Sequence, residues 1–139
     1  MKKVLVFGAF DGLHPGHIDF FRQAREHGDR LVVSVGTDEN VARIKGRAPL
    51  FSQEERKAVI EQLKCVDEVL IGEKENYYQG IVKIDPDVIC LGYDQWATED
   101  DVKTGLKKVG LDKVEVIRLS AYKENRAKST FLKDKSVDF

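Results

Sequence analysis

Short, continuous apolar runs recur along this chain, separated by longer stretches in which apolar residues fall three and four positions apart. "KVLVFG" at 3–8 reads as a buried strand. So do the runs at about 31–36 and near 67–71, "PDVICLG" ending at Gly92, and "VEVIRL". Between them, residues 15–27 place Ile18, Phe21 and Ala24 near one helical face. "SQEERKAVIEQLK" opens with Ser52 and Glu55 at capping-box spacing and offers Val59, Ile60 and Leu63 as its apolar face. "YYQGIVKI" reads as a short helix. Thr98, followed by Glu99, Asp100 and Asp101, reads as the N-cap of another that continues through Val102, Leu106 and Val109. A further short helix is expected after Ser129. Strands apolar on both faces need cover on both, and parallel pairing needs crossover helices to supply it. The pattern therefore predicts an α/β fold: one Rossmann-like domain over residues 1–139, a five-stranded parallel sheet with helices on both faces.

Composition narrows the function classes. A formal net charge of −1 gives no global basic field, so no nucleic-acid or anionic-membrane partner is expected. Any anion must be held by local Lys, Arg and backbone N–H groups. No apolar run of about 18 residues occurs, and no signal-like segment follows Lys2 and Lys3, which predicts a cytoplasmic protein. Cys65 and Cys90 lie far apart in apolar surroundings and read as two buried, reduced thiols.

The chemistry concentrates in "VFGAFDGLHPGH", residues 6–17, where two histidines follow the first strand. Pro15 suits the first position of a helix, so the helix is expected to begin at His14–Pro15. The N–H groups of Gly16 and His17 would then face an anion at its positive end. Gly8 allows close backbone approach and Gly12 a tight turn. Two imidazoles can each donate a hydrogen bond without large permanent charge, which suits a phosphate whose charge shifts during reaction. A metal site and a simple capped turn are the other readings. His-x-x-His lacks a third ligand, although Asp11 could supply an oxygen.

"GAFDGLHPGH" resembles the signature of the His-x-Gly-His nucleotidyltransferase superfamily, here His14-Pro15-Gly16-His17. The chain is similar to its small cytidylyltransferase-like group, which includes glycerol-3-phosphate cytidylyltransferases and archaeal-type FAD synthases. The similarity extends through "GDRLVVSVGTDENV", "IKGRAPLFSQEERKAVIEQLKCVDEVLIG", "DPDVICLGYDQ" and "AKST". It implies transfer of a nucleoside monophosphate from an NTP to a phosphorylated small-molecule acceptor, with release of pyrophosphate and no covalent enzyme intermediate. His14, His17 and Lys45 would stabilise phosphate charge, Lys45 from a loop that also carries Arg47. Gly8, Ala9, Phe10, Asp11 and Gly16 would line the triphosphate.

The resemblance assigns two further groups. Arg126, Lys128, Ser129 and Thr130 would hold the β- and γ-phosphates; Lys128 stands where the group usually has other residues, and Arg126 is a shifted equivalent of its arginine. Gly92, Tyr93, Asp94, Gln95 and Trp96 would contact base, ribose or acceptor, with Arg56 near the active site. Magnesium would arrive on the triphosphate without a protein cage, and a homodimer is implied. "GYDQ" leans toward ATP with FMN, for which Tyr93, Trp96, Tyr77 and Tyr78 are candidate platforms. CTP with glycerol 3-phosphate or another small polyol or sugar phosphate is the alternative. A nucleotide-binding protein without turnover and a metal-dependent hydrolase are the readings from other classes.

Overall fold

A computed structural model describes residues 1–75, 77–95 and 97–122. Among them five strands are interleaved with five helices, two of which lie in succession between the second and third strands. These are β1 Lys3–Gly8, α1 Pro15–Arg25, β2 Arg30–Val35, α2 Asp38–Lys45, α3 Gln53–Ile60, β3 Glu68–Ile71, α4 Tyr77–Ile84, β4 Val88–Leu91, α5 Glu99–Lys108 and β5 Glu115–Arg118. All strand pairs are parallel, in the order β3-β2-β1-β4-β5. The expected Rossmann-like α/β architecture is present.

Alternation along the strands fills two cores. Val4, Val6, Leu31, Val33, Val88 and Cys90 face one side, where Phe21 and Ala24 of α1 and Ile60 of α3 cover them. Leu5, Val32, Ile89 and Leu91 face the other, against Ile81 of α4 and Val102 and Leu106 of α5. Every one of these side chains is at most 3% exposed. Burial of this kind stabilises by roughly 25 cal/mol per Å² of apolar surface.

Several details depart from the sequence reading. α2 was not expected: Thr37 caps it by accepting from Asn40 N, and Gly46 ends it in the left-handed conformation at φ 79°. Lys45 is thus the last residue of a helix rather than a loop residue. α3 stops at Ile60, and Val59 is 54% exposed instead of facing the core. Cys65 is only half-buried, whereas Cys90 is fully buried and its thiol is pushed up to about 12, chiefly by burial. The helix expected after Ser129 lies outside the described residues. No helix among the described residues is long and apolar enough to cross a membrane.

The strand order fixes where a ligand can sit. The chain winds outward from β1 through β2 to β3, then returns to place β4 on β1's other side. The carboxyl ends of β1 and β4 therefore form the switch point, where connections depart to opposite faces and leave a crevice.

Candidate active site

The loop from β1 to α1 enters the crevice through a strained turn. Phe10 holds φ 52°, rare for a residue with a side chain, and Gly12 holds φ 94°. Phe10's ring turns inward, meeting Phe21 at 5.1 Å in a tilted contact and His17 edge-on at 5.8 Å. A Cβ on Gly8 would lie 2.9 Å from that ring. Gly8's missing side chain thus makes room for the Phe10 ring.

His14 and His17 form a reciprocal cap at the start of α1. The Gly16 N–H donates to His14 Nδ1 at 2.9 Å, and the His14 N–H donates to His17 Nδ1 at 3.2 Å. An Nδ1 that accepts carries no proton, so each neutral ring bears its hydrogen on Nε2, the donor it can offer a phosphate oxygen. The His17 N–H donates to His14 O at 2.9 Å. The Gly16 and His17 N–H groups expected to face an anion are therefore engaged within the turn.

Electrostatics favour the neutral rings. Burial first, then the charges of His14 and Lys45, bring the His17 pKa down to about 3. His14 is also lowered by burial, with Asp94 pulling in the opposite direction. Lys45 and Asp94 thus act on the pair from the two walls of the crevice, the end of α2 and the loop after β4. A cation about 4 Å from an oxyanion contributes roughly 4 kcal/mol at an effective dielectric near 20.

Two residues expected to touch ligand are turned into the protein. Asp11, 5% exposed, accepts from Leu50 N at 2.7 Å and Phe51 N at 2.9 Å. Arg56, 2% exposed, donates to Phe51 O at 3.0 Å and Ala9 O at 2.8 Å and pairs with Asp38 at 2.8 Å. Together they fasten the histidine loop to α2 and α3. A buried guanidinium needs such saturation of its donors, and main-chain carbonyls supply most of it.

The other wall is the loop after β4. The β1–β4 ladder runs through Val4↔Val88 and Leu5↔Ile89. Beyond it the Gln95 amide bridges the strand ends, accepting from Gly92 N at 3.0 Å and donating to Phe7 O at 2.9 Å. Gln95's amide, expected to meet a base, is thus occupied by backbone. A Cβ at Gly92 would meet nothing closer than 3.8 Å, so the chain itself does not demand glycine there. Tyr93 is 41% exposed. Tyr77 meets Phe7 edge-on at 5.2 Å, whereas Tyr78 packs on Gly105. Arg118, at the end of β5 and unmarked by any motif, donates to the carbonyls of Gly92, Gln95 and Ala97. Trp96, Arg126, Lys128, Ser129 and Thr130 lie outside the described residues. Among the described residues no three His, Cys, Asp or Glu side chains gather to hold a metal ion.

The switch point of this parallel α/β sheet thus carries two Nε2–H imidazoles, with the charge of Lys45 acting on His17. Residues 5–135 match the cytidylyltransferase-like family. The chain is 45% identical over 121 residues to the FAD synthase of Ferroglobus placidus, covering 87% of this chain and 78% of that one. It is 48% identical over 130 residues to the FAD synthase of Pyrococcus abyssi, covering 92% and 87%. The fold matches a crystal structure of a lipopolysaccharide core biosynthesis protein from Thermoplasma volcanium at a TM-score of 0.82. Identity there is 37%, over 88% of this chain and 98% of that one. The chain belongs to the cytidylyltransferase-like family, and it is a nucleotidyltransferase.

Proposed function

We propose that this nucleotidyltransferase joins ATP and FMN to make FAD. An FMN phosphate oxygen attacks the α-phosphorus of ATP, a new P–O bond forms, and the bond to the β-phosphate bridging oxygen breaks, releasing pyrophosphate. His14 and His17 donate through Nε2–H to phosphate oxygens as charge builds, and Lys45 adds a full positive charge. Neither ring needs to lose or gain a proton, which fits imidazoles whose pKa values are held down. Magnesium enters as part of the Mg–ATP substrate and neutralises the triphosphate. Arg126, Lys128, Ser129 and Thr130 hold the β- and γ-phosphates in this reading, and the active form is a cytoplasmic homodimer.

The observation that carries the reading is the reciprocal His14–His17 cap at the switch point, in a chain that shares 45% and 48% identity with enzymes called FAD synthase. Tyr77 on Phe7, at the end of β1, supports an apolar edge on which a planar ring can lie. Four pairings of ATP or CTP with FMN or glycerol 3-phosphate, read by pyrophosphate release and product mass, test it. FAD from ATP and FMN alone is the expected result. Turnover only with CTP and glycerol 3-phosphate would replace the substrates and keep the reaction class.

A further inference from the structure

Arg118 lies outside every stretch that marks the site in sequence, yet its guanidinium organises the crevice's second wall. It stands at the carboxyl end of β5, opposite Leu91 in the β4–β5 ladder. Nη1 donates to Gly92 O at 2.6 Å and to Gln95 O at 3.2 Å, and Nη2 donates to Ala97 O at 2.7 Å. Nε and Nη2 also reach Glu99 Oε1, at 3.1 and 2.6 Å. Glu99 opens α5, directly after the Thr98 cap. One planar group therefore draws three carbonyls of a single loop inward and fastens them to the first turn of the next helix.

The loop so held bridges to β1 and carries a charge that acts on His14. Its Gly92 N–H and the Gln95 amide make the bridge to Phe7 O at the end of β1. Asp94, between them, is close enough for its charge to act on His14. A loop with three carbonyls held by a neighbouring strand has little freedom to drift. Without Arg118, three carbonyls would seek water, and the segment carrying Tyr93, Asp94 and Gln95 would sample many positions. Ordering it again would then be charged against ligand binding.

We propose that Arg118 is a positioning residue for the nucleotide: it preorganises the loop from Gly92 to Ala97 as the wall against which the nucleoside binds. Glu99 is the second half of the device. It fixes the guanidinium's plane, and the hydrogen bond from Arg118 holds its carboxyl below the usual range. Lysine cannot substitute, because one ammonium lacks the fork that spans three carbonyls and a carboxylate. The proposal rests on the nucleotidyltransferase reading for the ligand's class but not on FMN as acceptor.

The experiment compares wild type, Arg118→Ala, Arg118→Lys and Glu99→Gln. Binding of ATP and of CTP is followed by titration calorimetry, with steady-state kinetics alongside. For the nucleotide that wild type binds, Arg118→Ala and Arg118→Lys should both raise Kd and KM by about 10-fold or more. The kcat at saturating nucleotide should stay within about 3-fold, since the lost interaction serves binding rather than the transition state. Glu99→Gln, which removes only the brace, should raise Kd by roughly 3-fold and serves as the reporter if the Arg118 variants fail to fold. Wild-type Kd in Arg118→Ala, or full restoration by lysine, would overturn the proposal. So would a fall in kcat with KM unchanged. Wild type that binds ATP but makes no FAD would refute the proposed acceptor and leave the Arg118 test intact.

Discussion

His17 Nδ1 accepts the backbone N–H of His14 at 3.2 Å, and the two imidazoles lie 4.1 Å apart, centroid to centroid. The spacing His14-Pro15-Gly16-His17 is that of a capping box, with imidazole nitrogens doing what Ser and Glu oxygens do elsewhere. Each ring is oriented by a main-chain donor on one nitrogen, which leaves the tautomer of the other no choice. The cap and the proposed chemistry are therefore one arrangement, and they can be separated by substitution.

Asn is a good N-cap, and Gln at the third helical position can still accept from the cap's N–H. His14→Asn and His17→Gln should thus retain the helix start and stay within about 1 kcal/mol of wild-type stability. Each keeps an amide N–H, but not in the rigid ring that fixes Nε2–H opposite Nδ1, so kcat should fall by about 10²-fold or more, with modest change in nucleotide affinity. Kinetics beside urea unfolding separates the two quantities. Near-normal turnover in either variant would remove the imidazoles from the chemistry.

The neutral state of His17 also predicts an acid sensitivity. Its pKa is about 3 in the folded chain, against about 6.5 unfolded. Between these values the unfolded chain binds a proton that the native state does not, so stability rises with pH through that window. The contribution is fully present above the unfolded value and is lost as pH falls from about 6.5 toward 3, at up to about 1.4 kcal/mol per pH unit. Unfolding free energies measured from pH 7 to pH 4 should fall more steeply for wild type than for His17→Gln. Parallel curves would mean that the imidazole already titrates normally in the fold.

Arg56 supports a prediction about the frame. It joins Ala9 O and Phe51 O to the Asp38 carboxylate while almost fully buried. Arg56→Ala leaves two carbonyls without their donor, at about 1–3 kcal/mol each, and should cost about 2–5 kcal/mol. Arg56→Lys should recover less than half, because one ammonium cannot serve partners in three directions. Since the clamp holds the histidine loop, kcat should fall in both variants, even at temperatures where they remain folded. Denaturant unfolding and turnover at a low temperature check both parts.

Much of this was legible in sequence because it rests on local periodicity. The five strands are runs of β-branched and other apolar residues, and the Ser52, Thr98 and His14 helix starts carry their own cap residues. α2 was hidden because Val41 is its sole buried residue and "DENVARIK" shows almost no apolar face, although Thr37 and Gly46 bracket it correctly. Asp11 was read toward ligand from its place in the motif, and Arg56 and Gln95 from the family resemblance. Their partners proved to be main-chain groups of Leu50, Phe51, Ala9, Gly92 and Phe7, and a backbone carbonyl looks the same at every position of a sequence. Arg118 was missed for that reason too: its acceptors are carbonyls of a loop 21 or more residues earlier, brought near only by the β4–β5 pairing.

Tyr78 and Gly105 give a last test, one that separates packing from ligand binding among the aromatic residues near the site. A Cβ at Gly105 would collide with the Tyr78 ring, so the glycine in the middle of α5 receives that ring. Gly105→Ala should therefore destabilise by about 1–3 kcal/mol, despite the roughly 1 kcal/mol by which alanine favours a helix interior. Tyr78→Phe should cost under about 1 kcal/mol, because the hydroxyl reaches Asp101 O only at 3.5 Å. Tyr78→Ala removes the ring and opens the space. In that background Gly105→Ala should change sign and stabilise by about 0.5–1 kcal/mol, as helix propensity is no longer opposed. A double-mutant cycle in urea reads the coupling directly. Flavin fluorescence in the same variants should show FMN binding unchanged by Tyr78→Phe and weakened by Tyr77→Ala. Equal effects on flavin from both tyrosines would place Tyr78 at the acceptor site rather than in the core.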